Sequence, residues 1–295
     1  MKNDLRKMDT NWKRVLIAAI WAVAMMFPIH HFADESDAES DSMNDSTQNN
    51  QTNLEQPLPP ASPPKKRVSL IQIGGNYTYV YIKPEDSSTF TGNMGGIQAM
   101  YEYQPMNNFY AGLKAMWREG NTEASEATRS LFDFDVHERV GYTYGAWHQR
   151  YWLTFFTGFG YRYLGQTLKQ SGRTLKSNYN EFYVPVGVLI NLKFKPFFAA
   201  GLNAIWMPQV DTTVNLIPID HVQWETKRRI GNVLVELPLT FYWGAMRQYL
   251  FILKPFYEFW QDGPTTAVTS FGVPLGLPGN TYNFFGAEAN FGFQF

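Results

Sequence analysis

The stretch that decides the fold is the end of the sequence, FFGAEANFGFQF, residues 284–295. Every second position from residue 285 onward is apolar, and the positions between are small or polar. The apolar set is Phe285, Ala287, Ala289, Phe291, Phe293 and Phe295. Because side chains of a strand alternate between its two faces, this pattern predicts a β-strand with one apolar face. The alternation runs to the final residue, whereas the ends of soluble domains are usually polar and poorly ordered.

The same two-residue period recurs upstream, as in EFYVPVGVLINLK (181–193) and NVLVELPLTFYW (232–243). It predicts ten strands near residues 68–82, 95–104, 108–119, 131–145, 150–165, 180–192, 197–208, 229–243, 248–261 and 281–295. Four connections between them are short, PMN, AWHQ, KFKP and GAMR, and they alternate with five long ones. Tight turns at one rim and long loops at the other are typical of a transmembrane antiparallel barrel. We therefore expect an all-β, up-and-down barrel of about 10 strands, with 8 or 12 as alternatives.

The amino-acid composition bears on two questions: whether the chain binds nucleic acid and whether it uses cysteine chemistry. The 295-residue chain is 17% aromatic and carries a net charge of -1, yet its mean hydropathy is negative. This balance gives no support for a nucleic-acid partner, whose footprint is basic. The chain contains no cysteine, which excludes disulfides, thiolate catalysis and cysteine-ligated metals.

The N-terminal region divides into two segments that precede the barrel at 67–295. A basic cluster precedes VLIAAIWAVAMMF, residues 15–27, an apolar run of the length expected in a signal peptide. We predict a signal peptide over 1–33, cleaved after Ala33, with a retained anchor as the alternative because His31 occupies a position where a small residue is preferred. Residues 34–66 are acidic and then proline-rich, which predicts a disordered linker, either a spacer or a tether for a periplasmic partner.

The signal-like segment, the ten alternating strands, the unequal connections and the terminal NFGFQF together resemble bacterial outer-membrane β-barrel proteins of the OmpA-like or omptin-sized kind. That resemblance implies an outer-membrane location with periplasmic termini and extracellular long loops. It also implies that Phe291, Phe293 and Phe295 form the signal recognised by the barrel-assembly machinery. Expected partners are outer-membrane lipid and lipopolysaccharide, with no cofactor.

Alternation alone does not say which face meets lipid, but the second face is a poor hydrophobic core because it carries charges. Those predicted to line the lumen are Glu102, Lys114, Arg118, Arg139, Arg162, Glu236, Lys254, Glu258 and Glu288. Aromatic rings such as Tyr77 and Trp243 lie near strand ends on the apolar face, as a membrane girdle requires. The charged lumen is either a narrow selective channel or a mutually paired network that fills the barrel. Ten strands only slightly exceed the size at which side chains fill the interior.

One cluster has catalytic character: FDFDVHER, residues 132–139. Asp133, Asp135 and His137 alternate onto one face, and a carboxylate can orient a histidine that acts as general base. Omptin proteases resemble this in part, with acids and an Asp–His couple at the outer rim. Omptins, however, use opposite walls, so Asp211, Asp220 and His221 are the candidates to face the cluster. The alternatives are a divalent-cation site and ordinary polar pairing above the membrane.

Three function classes follow. The leading one is a non-enzymatic outer-membrane barrel acting as a narrow channel or as a structural or surface component. The second is an adhesin or receptor that binds through its long loops, and the third is an omptin-like hydrolase using the Asp133–His137 cluster. The basic segment ETKRR, residues 225–229, is either a solvated loop or a contact for lipopolysaccharide phosphates. The sequence leaves the solute, the ligand and the oligomeric state open.

Overall fold

The computed structural model describes residues 68–85, 88–146, 150–217, 223–268 and 276–295. The predicted signal peptide, 1–33, and linker, 34–66, lie outside the described residues. No helix in the described ranges is long and apolar enough to cross a membrane.

Fifteen strands, numbered in chain order, make up the described fold. They are β1 Ser69–Pro84, β2 Phe90–Tyr103, β3 Asn108–Ala124, β4 Ala127–Ala146, β5 Tyr151–Gln170, β6 Arg173–Tyr183, β7 Val186–Lys195, β8 Phe198–Trp206, β9 Gln209–Ile217, β10 Gln223–Thr226, β11 Val233–Glu236, β12 Leu239–Trp243, β13 Tyr249–Asp262, β14 Thr265–Val268 and β15 Asn280–Gln294.

These strands form a closed barrel of ten antiparallel positions. We call each position a stave, whether it is one continuous strand or several strand segments placed end to end. Strands β6 and β7 both pair with β5 and form one interrupted stave. Strands β8 and β9 form the next, because β8 pairs with β7 and β9 with β6. Strands β10, β11 and β12 form the eighth, and β13 with β14 the ninth. Strand β15 then pairs with both β13 and β1. The prediction of a closed ten-strand antiparallel barrel is confirmed.

Prolines account for most of the interruptions. Pro185, Pro208, Pro238 and Pro264 lie at breaks between strand segments, where a residue without an N–H cannot donate to the ladder. The ladder is maintained through their carbonyl oxygens: Val184 N donates to Pro208 O at 3.1 Å, and Lys227 N donates to Pro264 O at 2.8 Å. The wall therefore stays closed although four of its staves are segmented.

The predicted long connections are wrong in extent, because the strands continue far into them. Strands β3 and β4 meet in a tight turn between Ala124 and Ala127, and β5 and β6 turn at Ser171 and Gly172. Segments such as TEASEATRS appeared loop-like because their outward positions are polar. Their inward positions are nevertheless buried, including Thr122 and Arg129, so the barrel extends beyond its apolar belt.

Polarity inverts along the barrel axis. In the lower part, next to the short turns, exposed side chains are apolar, among them Ile73, Phe109, Phe155 and Phe291. Higher up, the outer positions become polar and the interior becomes apolar, with Leu164, Val214, Leu216 and Trp224 buried. Only the lower part therefore has the outward apolar band of a membrane-spanning barrel.

Three outward tyrosines mark the upper edge of this band. Each donates its hydroxyl to an asparagine on a neighbouring strand at 2.8 Å, in the pairs Tyr77–Asn93, Tyr161–Asn180 and Tyr257–Asn283. A ring with an apolar body and a hydrogen-bonded tip suits the membrane–water interface. We call this level the tyrosine girdle and take the membrane-spanning segments to end there.

The terminal aromatic residues close the barrel at the short-turn rim. Phe295 N donates to Ser69 O at 2.9 Å, and Ser69 N donates to Phe295 O at 3.1 Å. Phe291, Phe293 and Phe295 all face outward and are exposed. Their recognition by the barrel-assembly machinery remains a prediction.

Candidate functional site: the filled lumen

All nine charged residues predicted to line the lumen lie on the interior face. Eight are buried, and Glu102 lines a cavity at the short-turn rim. They are organised as two ionic clusters, one above the other, with a histidine-containing group beside them.

The lower cluster alternates two lysines and two glutamates. Lys114 Nζ contacts Glu236 Oε1 at 3.0 Å and Glu288 Oε1 at 2.9 Å. Lys254 Nζ contacts Glu288 Oε2 at 2.9 Å and lies 4.0 Å from Glu236 Oε1. The remaining carboxylate oxygen of Glu236 accepts a hydrogen bond from the amide of Asn203 at 2.9 Å. Each buried charge thus has partners of the opposite sign, as burial requires.

The upper cluster places two arginines around two acids. Arg118 and Arg162 both bind Asp133 Oδ2 at 2.7 Å, and both also bind Glu258. Aromatic rings lie against the guanidinium groups: Cζ of Arg118 lies 4.1 Å from the centroid of Phe284, and Cζ of Arg162 lies 4.4 Å from that of Trp260. Planar arginine is suited to such combined bidentate and stacked contacts.

The predicted catalytic residues belong to this packing. Asp133 is fully buried in the upper cluster, while Asp135 accepts hydrogen bonds from Tyr183 at 2.7 Å and from His137 Nδ1 at 2.8 Å. Arg139 Nη2 lies 2.7 Å from His137 Nε2. Because a guanidinium only donates, Nε2 must be the acceptor and the imidazole is neutral, with its proton on Nδ1. Both ring nitrogens are therefore occupied, and neither is free to take a proton from a substrate.

The expected position of this cluster at the outer rim is wrong. Strand β4 continues to Ala127, so Asp133 lies six residues below the turn and inside the barrel. The cavity beside Asp135 and His137 has a volume of about 20 Å³, enough for about one water molecule. Asp211 faces outward rather than across the mouth, and Asp220 and His221 lie outside the described residues. Within those residues no group of three or more histidines and acids has the arrangement of a metal site.

Above the two clusters lies an acid pair, Glu181 and Asp262. Glu181 accepts hydrogen bonds from Gln209 and from the indole of Trp260, both at 2.7 Å. Asp262 accepts one from the hydroxyl of Tyr282 at 2.5 Å. It lies five residues beyond Tyr257 of the girdle, and burial raises the pKa of its carboxyl to about 6. Sequence reasoning missed Asp262, although the inward alternation from Glu258 through Trp260 points to it.

At the short-turn rim the lumen opens into a cavity of about 1030 Å³, which we call the vestibule. Its walls are mixed: apolar side chains include Met100, Met106, Trp152, Leu189, Leu250 and Ile252, and amide and hydroxyl side chains include Gln72, Gln104, Asn191, Asn203, Thr240 and Gln294. Lys254 of the lower cluster and Glu102 also line it. Glu102 accepts hydrogen bonds from Tyr110 at 3.0 Å and Gln72 at 3.3 Å. Sequence reasoning assigned these residues to the lumen without foreseeing that a large space remains beneath the clusters.

No family model matches the chain, and no curated protein sequence matches it. The closed ten-strand antiparallel barrel itself confirms the predicted architecture, and solved structures of similar fold include outer-membrane β-barrels. They include the outer membrane protease OmpT from Escherichia coli, with a TM-score of 0.49 and 10% identity, covering 78% of this chain and 97% of that chain. The toluene transporter TodX of P. putida has a TM-score of 0.35 and 8% identity, covering 77% and 90%. Ail, the attachment invasion locus protein of Yersinia pestis, has a TM-score of 0.33 and 11% identity, covering 76% and 99%. The likeness is one of fold and assigns no activity.

Proposed function

We propose that the chain is an integral outer-membrane β-barrel whose lumen is sealed and which serves as a structural or surface component, without enzymatic activity. The observation that carries the proposal is the stack of buried ionic clusters across the interior. Of the two leading hypotheses from the sequence, channel and structural component, it favours the second.

The seal is built from residues on opposite walls. Lys114 of β3 reaches Glu236 of β11 and Glu288 of β15, and Arg118 of β3 reaches Glu258 of β13. Above them, the acid pair and an apolar core continue the filling. A solute would have to displace charges that are fully desolvated and paired, and leaving either partner unpaired is costly.

Single-channel recording of the refolded full chain in a planar bilayer tests this proposal. We expect a silent bilayer, while a general porin refolded and reconstituted in parallel gives discrete steps. Correct folding is checked by circular dichroism and by resistance of the barrel to protease. Discrete, salt-dependent steps from the folded chain would overturn the sealed-lumen proposal. In that case Lys114, Arg162 and Glu258 become the residues to mutate for selectivity.

A second candidate, surface binding by an adhesin or receptor, is favoured by the height of the barrel wall. Strands β4 and β5 each contain 20 residues, whereas a membrane-spanning strand needs only about 9–11. The excess forms a rigid hairpin platform whose outer positions are polar. Replacing the tips 124–127 and 170–173 with Gly-Asn turns leaves the wall below intact. If adhesion is the function, these replacements abolish binding to host cells or matrix; unchanged binding removes this candidate.

Three elements of the proposal concern orientation and partners. The short turns and both ends of the described barrel lie at one rim, which we assign to the periplasm, with the hairpins extracellular. Outer-leaflet lipid is the proposed partner of the apolar band. Lipopolysaccharide is the proposed partner of Lys227 and Arg228, which are exposed beside Ile230. Protease digestion of intact cells tests the orientation, because only extracellular hairpins are then accessible to cleavage.

A further inference from the structure

We infer that the vestibule binds an amphipathic anion, with its carboxylate or phosphate head at Lys193 and Arg247 and its apolar chain in the cavity. This inference goes beyond the proposed structural role, because a sealed barrel needs no ligand at its short-turn rim. It rests on the shape of the cavity and on the charges at its mouth.

Two cations at the mouth lack acidic partners. Lys193 on β7 and Arg247 in the turn between β12 and β13 both line the vestibule. Across the described ranges of the chain, neither takes part in an ion pair, in contrast to the lysines and arginines of the two clusters. Both side chains line the same cavity, so two positive charges face one space. Two such cations without an acidic partner are a favourable place for an anion, which accepts their charge-assisted hydrogen bonds.

The walls above these cations suit an apolar chain. Met100, Met106, Trp152, Leu189 and Leu250 line the space, and methionine adapts its flexible thioether to ligands of different shape. The volume of about 1030 Å³ is large enough for a small-molecule ligand. Polar side chains such as Gln72, Asn191 and Thr240 share the lining with the apolar ones. Lys193 is oriented by Tyr242, whose ring centroid lies 5.3 Å from Nζ.

The charge distribution also sets the orientation of the ligand. The roof of the vestibule contains Lys254, but that lysine is already bound to Glu288 at 2.9 Å, and Glu102 adds a negative charge nearby. An anionic head is therefore better placed at the mouth, where the cations are uncompensated. The apolar chain then points toward the lower cluster, and the lumen above remains closed.

Photolabelling tests the site. The full chain is reconstituted in phosphatidylcholine nanodiscs with dodecanoate that carries a diazirine near its last carbon, and labelled peptides are identified by mass spectrometry. Labels on Met100, Trp152 or Leu250 report the vestibule, and labels on the outward residues Phe155 or Phe291 report partitioning into lipid. The second set is an internal reference, because the probe reaches it without entering the barrel.

We expect the ratio of vestibule to exterior labelling to fall by about 10-fold or more in Lys193→Ala/Arg247→Ala, because two charge-assisted hydrogen bonds are lost. The matched control is Arg150→Ala/Lys195→Ala, which removes the same charge from exposed positions at the same rim and leaves the ratio unchanged. Unlabelled dodecanoate and dodecyl phosphate are then added as competitors of the probe, and the one that lowers vestibule labelling more identifies the preferred head group, carboxylate or phosphate. Dodecanol, which has no charge, should not lower vestibule labelling.

Several results would overturn the inference. These are labelling confined to the exterior residues, equal losses in the two double variants, or competition by dodecanol as strong as that by dodecanoate. Conductance is measured separately, so a leak through the lumen would contradict the sealed barrel without affecting the labelling result.

Discussion

Replacing Arg162 with methionine tests whether the upper cluster stabilises the barrel. Arg162 donates from Nε to Asp133 Oδ1 at 2.9 Å and from Nη2 to Asp133 Oδ2 at 2.7 Å, and it also donates to Glu258. Breaking a buried ion pair by removing one partner costs about 3–5 kcal/mol, because the other charge stays buried. Asp133 and Glu258 retain Arg118, so we expect the free energy of unfolding to fall by about 3 kcal/mol.

The assay is urea unfolding of the refolded chain in phospholipid vesicles, followed by tryptophan fluorescence. Arg229→Met is the matched control: it removes the contact of 2.8 Å to Glu85, where the two side chains are 26% and 47% exposed. Exposed pairs contribute about 0–1 kcal/mol, so this variant should be nearly neutral. In Arg162→Met/Glu258→Gln we expect a loss smaller than the sum of the single losses by about 1–3 kcal/mol. The reasoning fails if Arg162→Met is as stable as Arg229→Met.

Three further predictions concern single positions. Glu138 is an outward side chain of the apolar band, between Val136 and Val140 and one outward position below the tyrosine girdle, because Val136 pairs with Tyr161 of the girdle. Charge on a lipid face is unfavourable, so Glu138→Leu should raise the free energy of unfolding in vesicles by about 1 kcal/mol; no gain would show that the carboxyl has a partner in the membrane. The pKa of Asp262 is about 6 in the folded barrel and 3.8 in the reference state. A raised pKa favours the folded state at low pH, so its contribution is lost as pH rises through 6. Urea titrations should show about 1–2 kcal/mol more stability at pH 5 than at pH 7, and Asp262→Asn should reduce this difference, leaving the part that comes from the neighbouring Glu181, whose pKa burial also raises. A Cβ at Gly160 would lie 2.2 Å from the Tyr183 ring. Gly160→Ala should therefore slow refolding or destabilise the barrel by more than 1 kcal/mol, whereas Gly172→Asn, in an open turn with φ +76°, is the tolerated control.

The sequence predicts which side of each strand faces lipid, because the two-residue period is unbroken through most staves. In EFYVPVGVLINLK (181–193) the alternation places Phe182, Val186 and Val188 on the apolar face and Glu181 and Tyr183 on the other, and in the structure the first set faces outward and the second inward. The lengths of the strands were harder to predict from the sequence. The prediction depends on an apolar outer face and a polar inner face, and above the tyrosine girdle the outer face is polar and the inner face is apolar. The interruptions at Pro185 and Pro208 were also missed, because the faces continue in phase across them.

The sequence could not predict which charged residues form ion pairs inside the lumen. Lys114 and Glu288 are 174 residues apart, and Arg118 and Glu258 are 140 apart. Their contacts depend on how the staves are staggered around the closed barrel, which no local pattern specifies. The same limitation explains why Asp133, Asp135 and His137 resembled a catalytic group. The sequence shows that they share a face, but not that Arg118 and Arg162 bind Asp133 and that Tyr183 binds Asp135.

The arrangement of charge along the axis indicates where function resides. Within the membrane band the interior is fixed by ion pairs that bridge opposite walls, and above the girdle it is fixed by an apolar core. The ionic layer resists local opening, because moving one side chain leaves desolvated partners with fewer opposite charges to bind. The two ends differ: one presents the polar hairpins of β3–β4 and β5–β6, and the other presents an open cavity whose cations Lys193 and Arg247 lack acidic partners among the described residues. Binding at the rims, rather than passage through the centre, is the behaviour that this distribution of charge supports.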